Sequence, residues 1–137
     1  MSKGNGLIKK NKIIILDVDQ TIAMKKTNEM TYADVGVVES VKLRMLELKE
    51  QGYWIILSSS RNMLTYEGNL GKIIKHTAPV MIDWLDKHNI PYDEIHFGKP
   101  WCGLDGFYVD DRAIRPREFT TLSLDEIAEL IERDRDF

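Results

Sequence analysis

Four consecutive apolar residues, Ile13-Ile14-Ile15-Leu16, run directly into Asp17-Val18-Asp19-Gln20-Thr21. Stiff β-branched side chains pack well on a pleated surface, so the run reads as a strand. Its continuous rather than alternating apolar character predicts a strand buried on both faces, as in parallel sheets. That commits the chain to an α/β fold. Two carboxylates and a hydroxyl then fall where the strand must end. Buried acidic groups are costly unless paired, protonated or bound to a metal, and ligands gather at the carboxyl ends of parallel strands.

The rest of the chain follows suit. A polar connection, roughly Ala23 to Gly36, leads to Val38, Val41, Met45 and Leu48 at helical spacing, closed by Gly52 as a C-terminal cap. Tyr53 to Leu57 is a second buried strand, ending in Ser58-Ser59-Ser60-Arg61. A loop and short helical stretch covers Asn62 to His76, and Pro79 opens a helix that carries Ile82 and Leu85 inward until Asn89-Ile90-Pro91 stops it. Glu94 to Phe97 is a third strand, followed by Gly98-Lys99-Pro100; Gly106 to Val109 is a fourth, ending in Asp110-Asp111. Ser123 and Glu126 form a capping box for a last helix with a stripe of Leu124, Ile127, Ala128 and Ile131. The expectation is one domain over residues 12–137, a Rossmann-like three-layer core with a parallel sheet and right-handed crossovers, after a frayed tail from Met1 to Asn11.

Composition excludes several partners. A formal net charge of -3, with Lys and Arg scattered, gives no pull towards nucleic acid. No apolar stretch has membrane-spanning length, and the amino terminus lacks a signal-peptide core. The single cysteine, Cys102, rules out an internal disulfide framework and fits a cytoplasmic protein. It has no base near it in sequence, and His76, His88 and His96 lack zinc-site spacing. Trp84 and Trp101 read as packing residues.

Parallel strands put their terminal polar clusters on one edge of the sheet, where they can meet. There, with a phosphate monoester as ligand, Asp17 would attack phosphorus and split hydrolysis into two easier steps through an aspartyl-phosphate. An anion attacking a near-dianion at about 4 Å is opposed by about 4 kcal/mol per charge pair at an effective dielectric near 20. A magnesium ion would offset that repulsion, held by Asp17, the backbone carbonyl of Asp19 and Asp110, with Asp111 on a metal-bound water. Lys99 would screen the phosphate and steady Asp17; Ser59, or Ser58 in a register one residue earlier, would hold a phosphoryl oxygen. Asp19 would protonate the leaving alcohol and then activate water, which needs a raised pKa; Thr21 would tie the turn together.

Asp17-Val18-Asp19-Gln20-Thr21, Ser59, Lys99 in Gly98-Lys99-Pro100 and Asp110-Asp111, in that order, resemble the four motifs of the haloacid dehalogenase superfamily of phosphatases. Longer strings, Ser60-Arg61-Asn62-Met63, Thr65-Tyr66-Glu67-Gly68-Asn69, Gly98 to Gly103 and Gly106 to Pro116, are similar to small phosphatases of capsular polysaccharide biosynthesis. Gln20 departs from the family's usual glycine, and Ser59 stands for the commoner threonine. The resemblance implies a capless enzyme acting on a small sugar or polyol phosphate, with its site open or covered by a neighbouring subunit. Neither gap between motifs has room for a large cap. Arg61, Asn62, Tyr66 and Arg112 are the candidates for substrate contact, with Arg61 and Arg112 reading equally as ion-pair partners of the acidic cluster.

Three other readings compete. A catalytically silent module would bind sugar phosphates or a partner enzyme. A signalling receiver domain would carry its paired acids first, whereas here the pair follows Lys99-Pro100. A nucleotide kinase would need a Gly-rich Gly-Lys-Ser/Thr loop, which is missing.

Overall fold

The computed structural model describes residues 11–135. The expected tail lies outside them apart from Asn11. The chain divides into two compact units, one ending at Trp101 and one beginning at Cys102.

In the first unit the apolar runs become an open sheet of three parallel strands, β1 (Ile13–Leu16), β2 (Trp54–Ser59) and β3 (Glu94–Phe97), in that order across the sheet. Ile13 to Leu16 pair with Trp54 to Leu57, and Ile56 to Ser59 pair with Glu94 to Phe97. Between β1 and β2 runs helix α1 (Glu39–Glu50), which buries Val41, Met45 and Leu48 and closes with the Gly52 amide on the Lys49 carbonyl. Between β2 and β3 come α2 (Leu70–His76) and α3 (Ala78–Lys87). The Asn69 side chain accepts from the Lys72 amide to start α2, and Pro79 sits in the first turn of α3 as expected. This is an α/β, Rossmann-like core with no large cap domain.

The core is built from Leu16, Val18, Ile22, Met45, Ile55, Leu57, Ile73, Met81, Trp84 and Leu85. In α3 the deepest side chains are Met81 and Trp84, with Leu85, while Ile82 is half-buried. Trp84 packs as read from the sequence and donates its indole N–H to the Val35 carbonyl at 2.9 Å. On β2, burial alternates, so Ile55, Leu57 and Ser59 point into the core.

Two expectations fail together. β1 is not buried on both faces: Ile13 is 39 % and Ile15 65 % exposed. The fourth strand, Gly106 to Val109, does not form. A strand exists only against a partner, and the second unit, with helices α4 (Pro116–Thr121) and α5 (Leu124–Glu132), has no strand among its described residues. Where the strand was to begin, the chain doubles back so tightly that a Cβ on Gly106 would collide with the Cys102 carbonyl oxygen. Phe107 and Val109 are largely exposed. With three strands in the sheet, β1 is an edge strand.

In α5 the capping box is as expected: the Ser123 hydroxyl accepts from the Glu126 amide and the Glu126 carboxylate from the Ser123 amide. Leu124, Ile127 and Ile131 are half-buried and Ala128 is exposed.

Candidate active site

β1 ends at Leu16, so Asp17 and Asp19 leave the sheet at its carboxyl edge, in a turn whose Thr21, Ile22 and Ala23 amides all donate to the Val18 carbonyl. Thr21 thus braces the turn through its backbone. Gln20 sits in that turn at φ 58°, the left-handed region that favours glycine. A glycine there would adopt this angle without strain. Gln20→Gly trades about 1–2 kcal/mol of left-handed strain against about 1 kcal/mol of added chain entropy. A thermal melt should show it neutral to slightly stabilising.

Asp17 is desolvated. Burial pushes its carboxyl pKa above the ordinary value, opposed by Lys99 and by the Val18 amide, while Asp19 raises it further and Arg61 lowers it. The Lys99 ammonium lies 4.0 Å from Asp17 Oδ2, and the Val18 amide donates to Oδ1 at 2.8 Å. Lys99 reaches this position because its amide donates to the Ser59 carbonyl at 3.1 Å, directly after the turn at Gly98. Gly98 holds φ 89°, and an added Cβ would meet the Leu70 side chain. Leu70 can shift, so the expected cost of Gly98→Ala is the left-handed backbone, about 1–2 kcal/mol in denaturant melts.

Asp19 is held differently. Arg61 donates to both of its oxygens, Nε to Oδ2 at 3.1 Å and Nη2 to Oδ1 at 2.7 Å. The Arg61 side chain is only 2 % exposed, against 35 % for Asp19, and its Nη1 is buried without a hydrogen-bond partner. Arg61 Cζ lies 4.0 Å from the centre of the Tyr32 ring, a cation–π contact that partly compensates the unmet donor. Arg61 is thus ion-paired with Asp19. Each Asp19 oxygen accepts one of the Arg61 hydrogen bonds and keeps a second acceptor site. Burial raises the Tyr32 hydroxyl pKa, with Asp19 adding to the rise and Arg61 opposing it.

The Ser59 side chain is buried and accepts from the Arg61 amide at 3.0 Å, which leaves the hydroxyl proton to donate. Ser58, on the opposite strand face, is half-buried. Asn62 is spent internally: its carbonyl accepts from the Thr77 hydroxyl at 2.7 Å and its amide donates to Thr65. Tyr66 stacks on His76, ring centres 5.7 Å apart. Asp17, Asp19, Ser59, Arg61 and Lys99 therefore belong to the carboxyl edge of one sheet. Asp110, Asp111 and Arg112 belong to the second unit, where all are exposed and Asp110 accepts from the Arg112 amide at 2.9 Å.

For magnesium the chemistry of the first unit is suitable. The cation takes hard oxygens, often one or two carboxylates with several waters retained. Asp17 is a half-buried carboxylate whose burial Lys99 offsets only in part, and the Asp19 backbone carbonyl is a further hard oxygen two residues on. No group of three or more His, Cys, Asp or Glu stands ready for a metal among the described residues.

The sequence reading missed Tyr32, Lys25 and Lys26, which stand beside Asp19. Their only signal was an aromatic and two adjacent lysines in an otherwise polar connection, a pattern that by itself describes a solvated loop. No helix among the described residues is long and apolar enough to cross a membrane.

No protein-family model and no curated protein matches the chain. Two structures of the Pnkp1/Rnl/Hen1 RNA repair complex align at 23 % and 20 % identity, over 81 % and 98 % of this chain and 34 % of theirs, each with a TM-score of 0.46. A crystal structure of a structural-genomics target from Vibrio cholerae is 48 % identical, covering 90 % of this chain and 99 % of that one with a TM-score of 0.86. At that identity and coverage, the chain belongs to the same family as the Vibrio cholerae protein.

Proposed function

We propose that the chain is a magnesium-dependent phosphomonoester hydrolase of the haloacid dehalogenase superfamily, acting on a small sugar or polyol phosphate of polysaccharide biosynthesis. The observation that carries the reading is the desolvated Asp17 with Lys99 at 4.0 Å, next to an Asp19 oriented by Arg61, all at the carboxyl edge of a parallel sheet.

In this reading an Asp17 oxygen bonds to phosphorus as the bond from phosphorus to the alcohol oxygen breaks. Asp19, held in place by Arg61, gives a proton to the leaving oxygen. It then takes a proton from water, which attacks the aspartyl-phosphate and frees inorganic phosphate. Lys99 and the Ser59 hydroxyl carry the phosphoryl oxygens through both steps. Magnesium, when bound, supplies positive charge that offsets the repulsion between carboxylate and phosphate. Asp17 and the Asp19 carbonyl are its proposed ligands in the first unit; Asp110 and Asp111 are proposed from the sequence pattern.

The test is a phosphate-release screen over sugar, polyol and nucleotide phosphates with and without EDTA. Release that stops with EDTA and returns with magnesium is expected; release that persists in EDTA overturns the reading. Asp110→Asn should raise the magnesium concentration for half-maximal rate by about tenfold or more. An unchanged requirement removes Asp110 from the metal.

A second reading, a silent module that binds sugar phosphates, draws on the occupied state of Asp19, whose two oxygens both engage Arg61. Tight magnesium-dependent binding with no turnover across the same panel would favour it.

A further inference from the structure

A cleft of about 200 Å³ opens beside Asp19, lined by Asp19, Gln20, Met24, Lys25, Lys26 and Tyr32. All six lining residues belong to the connection between β1 and α1, which is pinned rather than loose. The Met24 amide donates to the Gly36 carbonyl at 2.9 Å and the Val38 amide to the Ile22 carbonyl at 2.8 Å. Short bridges join Asp19 to Ala23 and Ala23 to Val37, and the Trp84 indole holds Val35.

The charges in the cleft do not balance. Asp19 is already matched by Arg61. Lys25 and Lys26 form no ion pair among the described residues. Lys26 instead sets its ammonium 5.3 Å from the centre of the Tyr32 ring, whose other cation contact is Arg61. A concave site with surplus positive charge concentrates anions. Its volume matches the liquid share of about six or seven waters, room for a small organic group. If Asp19 protonates the leaving oxygen, the alcohol side of the substrate lies on the Asp19 side of the site, where this cleft is.

We propose that the cleft is the leaving-group subsite and that Lys25 and Lys26 select phosphate monoesters whose alcohol carries a second acidic group. This rests on the hydrolase reading of Asp17 and Asp19. The shared chemistry is a second anion, either carboxylate or phosphate, and matched probes separate the two.

The experiment is calorimetric binding to the Asp17→Asn protein, with magnesium, of glycerol 3-phosphate, 3-phosphoglycerate and glycerol 1,3-bisphosphate. At least one acidic probe should bind about tenfold tighter than glycerol 3-phosphate, the equivalent of about one charged contact. Lys25→Gln/Lys26→Gln should bring that ratio to within about twofold. Equal affinities for all three probes, or a preference that survives the double substitution, overturns the subsite. Turnover of the same esters by the protein retaining Asp17 is read separately. Acid-selective binding without turnover upholds the subsite as an anion site and removes the hydrolase; turnover without acid preference does the reverse.

Discussion

Asp17→Asn should abolish phosphate release and, at pH 7, raise the melting temperature. The activity loss follows from removing the proposed nucleophile and is expected at about 10³-fold or more. The stability gain follows from desolvation. The folded protein holds the Asp17 pKa above its unfolded value of 3.8, because burial outweighs the help of Lys99 and the Val18 amide. A carboxyl with a raised folded pKa contributes stability that is fully present below the unfolded pKa and lost as pH rises through the folded one. At neutral pH the charged group is therefore a net cost, and the amide escapes it. The gap in melting temperature between variant and parent should narrow as pH falls towards 4. A variant that melts lower at pH 7 would show that the Lys99 and Val18 contacts outweigh burial. One that still releases phosphate would exclude Asp17 as nucleophile.

Arg61→Ala should have the largest structural effect, about 2–3 kcal/mol in denaturant melts. Removing the guanidinium deletes two hydrogen bonds to Asp19 and the contact with the Tyr32 ring, and leaves a cavity where a fully buried side chain stood. Breaking a wholly buried ion pair costs about 3–5 kcal/mol. Here Asp19 is a third exposed and recovers hydration, so the expected loss is smaller. Arg61→Lys keeps the charge but not the planar fork, so it should recover only part of the stability and leave Asp19 less well oriented. Loss below about 0.5 kcal/mol for Arg61→Ala would mark the pair as a weak surface bridge, contrary to its burial.

Elements that depend on local pattern were legible in the sequence. Ile13 to Leu16 and Glu94 to Phe97 are strands because their residues favour extended backbone and their neighbours stop it. The spacing of Val41, Met45 and Leu48, Pro79 at the start of α3 and the Ser123–Glu126 box announced three helices. Ser59, Lys99 and Asp17 were placed at strand ends by the same logic. Less legible was whatever needed a partner far along the chain. Gly106 to Val109 has the composition of a strand, but composition supplies no ladder. Gln20 could be flagged in the sequence; only the fold shows that it holds a left-handed backbone angle.

By itself the sequence determined which groups are chemically able to act, because carboxylates, a hydroxyl and a lysine at strand ends follow from residue type and local propensity. The tertiary structure decided which of them touch. It gave Asp17 to Lys99 and Asp19 to Arg61, and it set Tyr32, Lys25 and Lys26 beside Asp19. Those choices depend on distance and burial, which no single stretch of chain contains. A carboxylate's energy is set by the charges and water within a few ångströms of it, and folding alone brings those neighbours together.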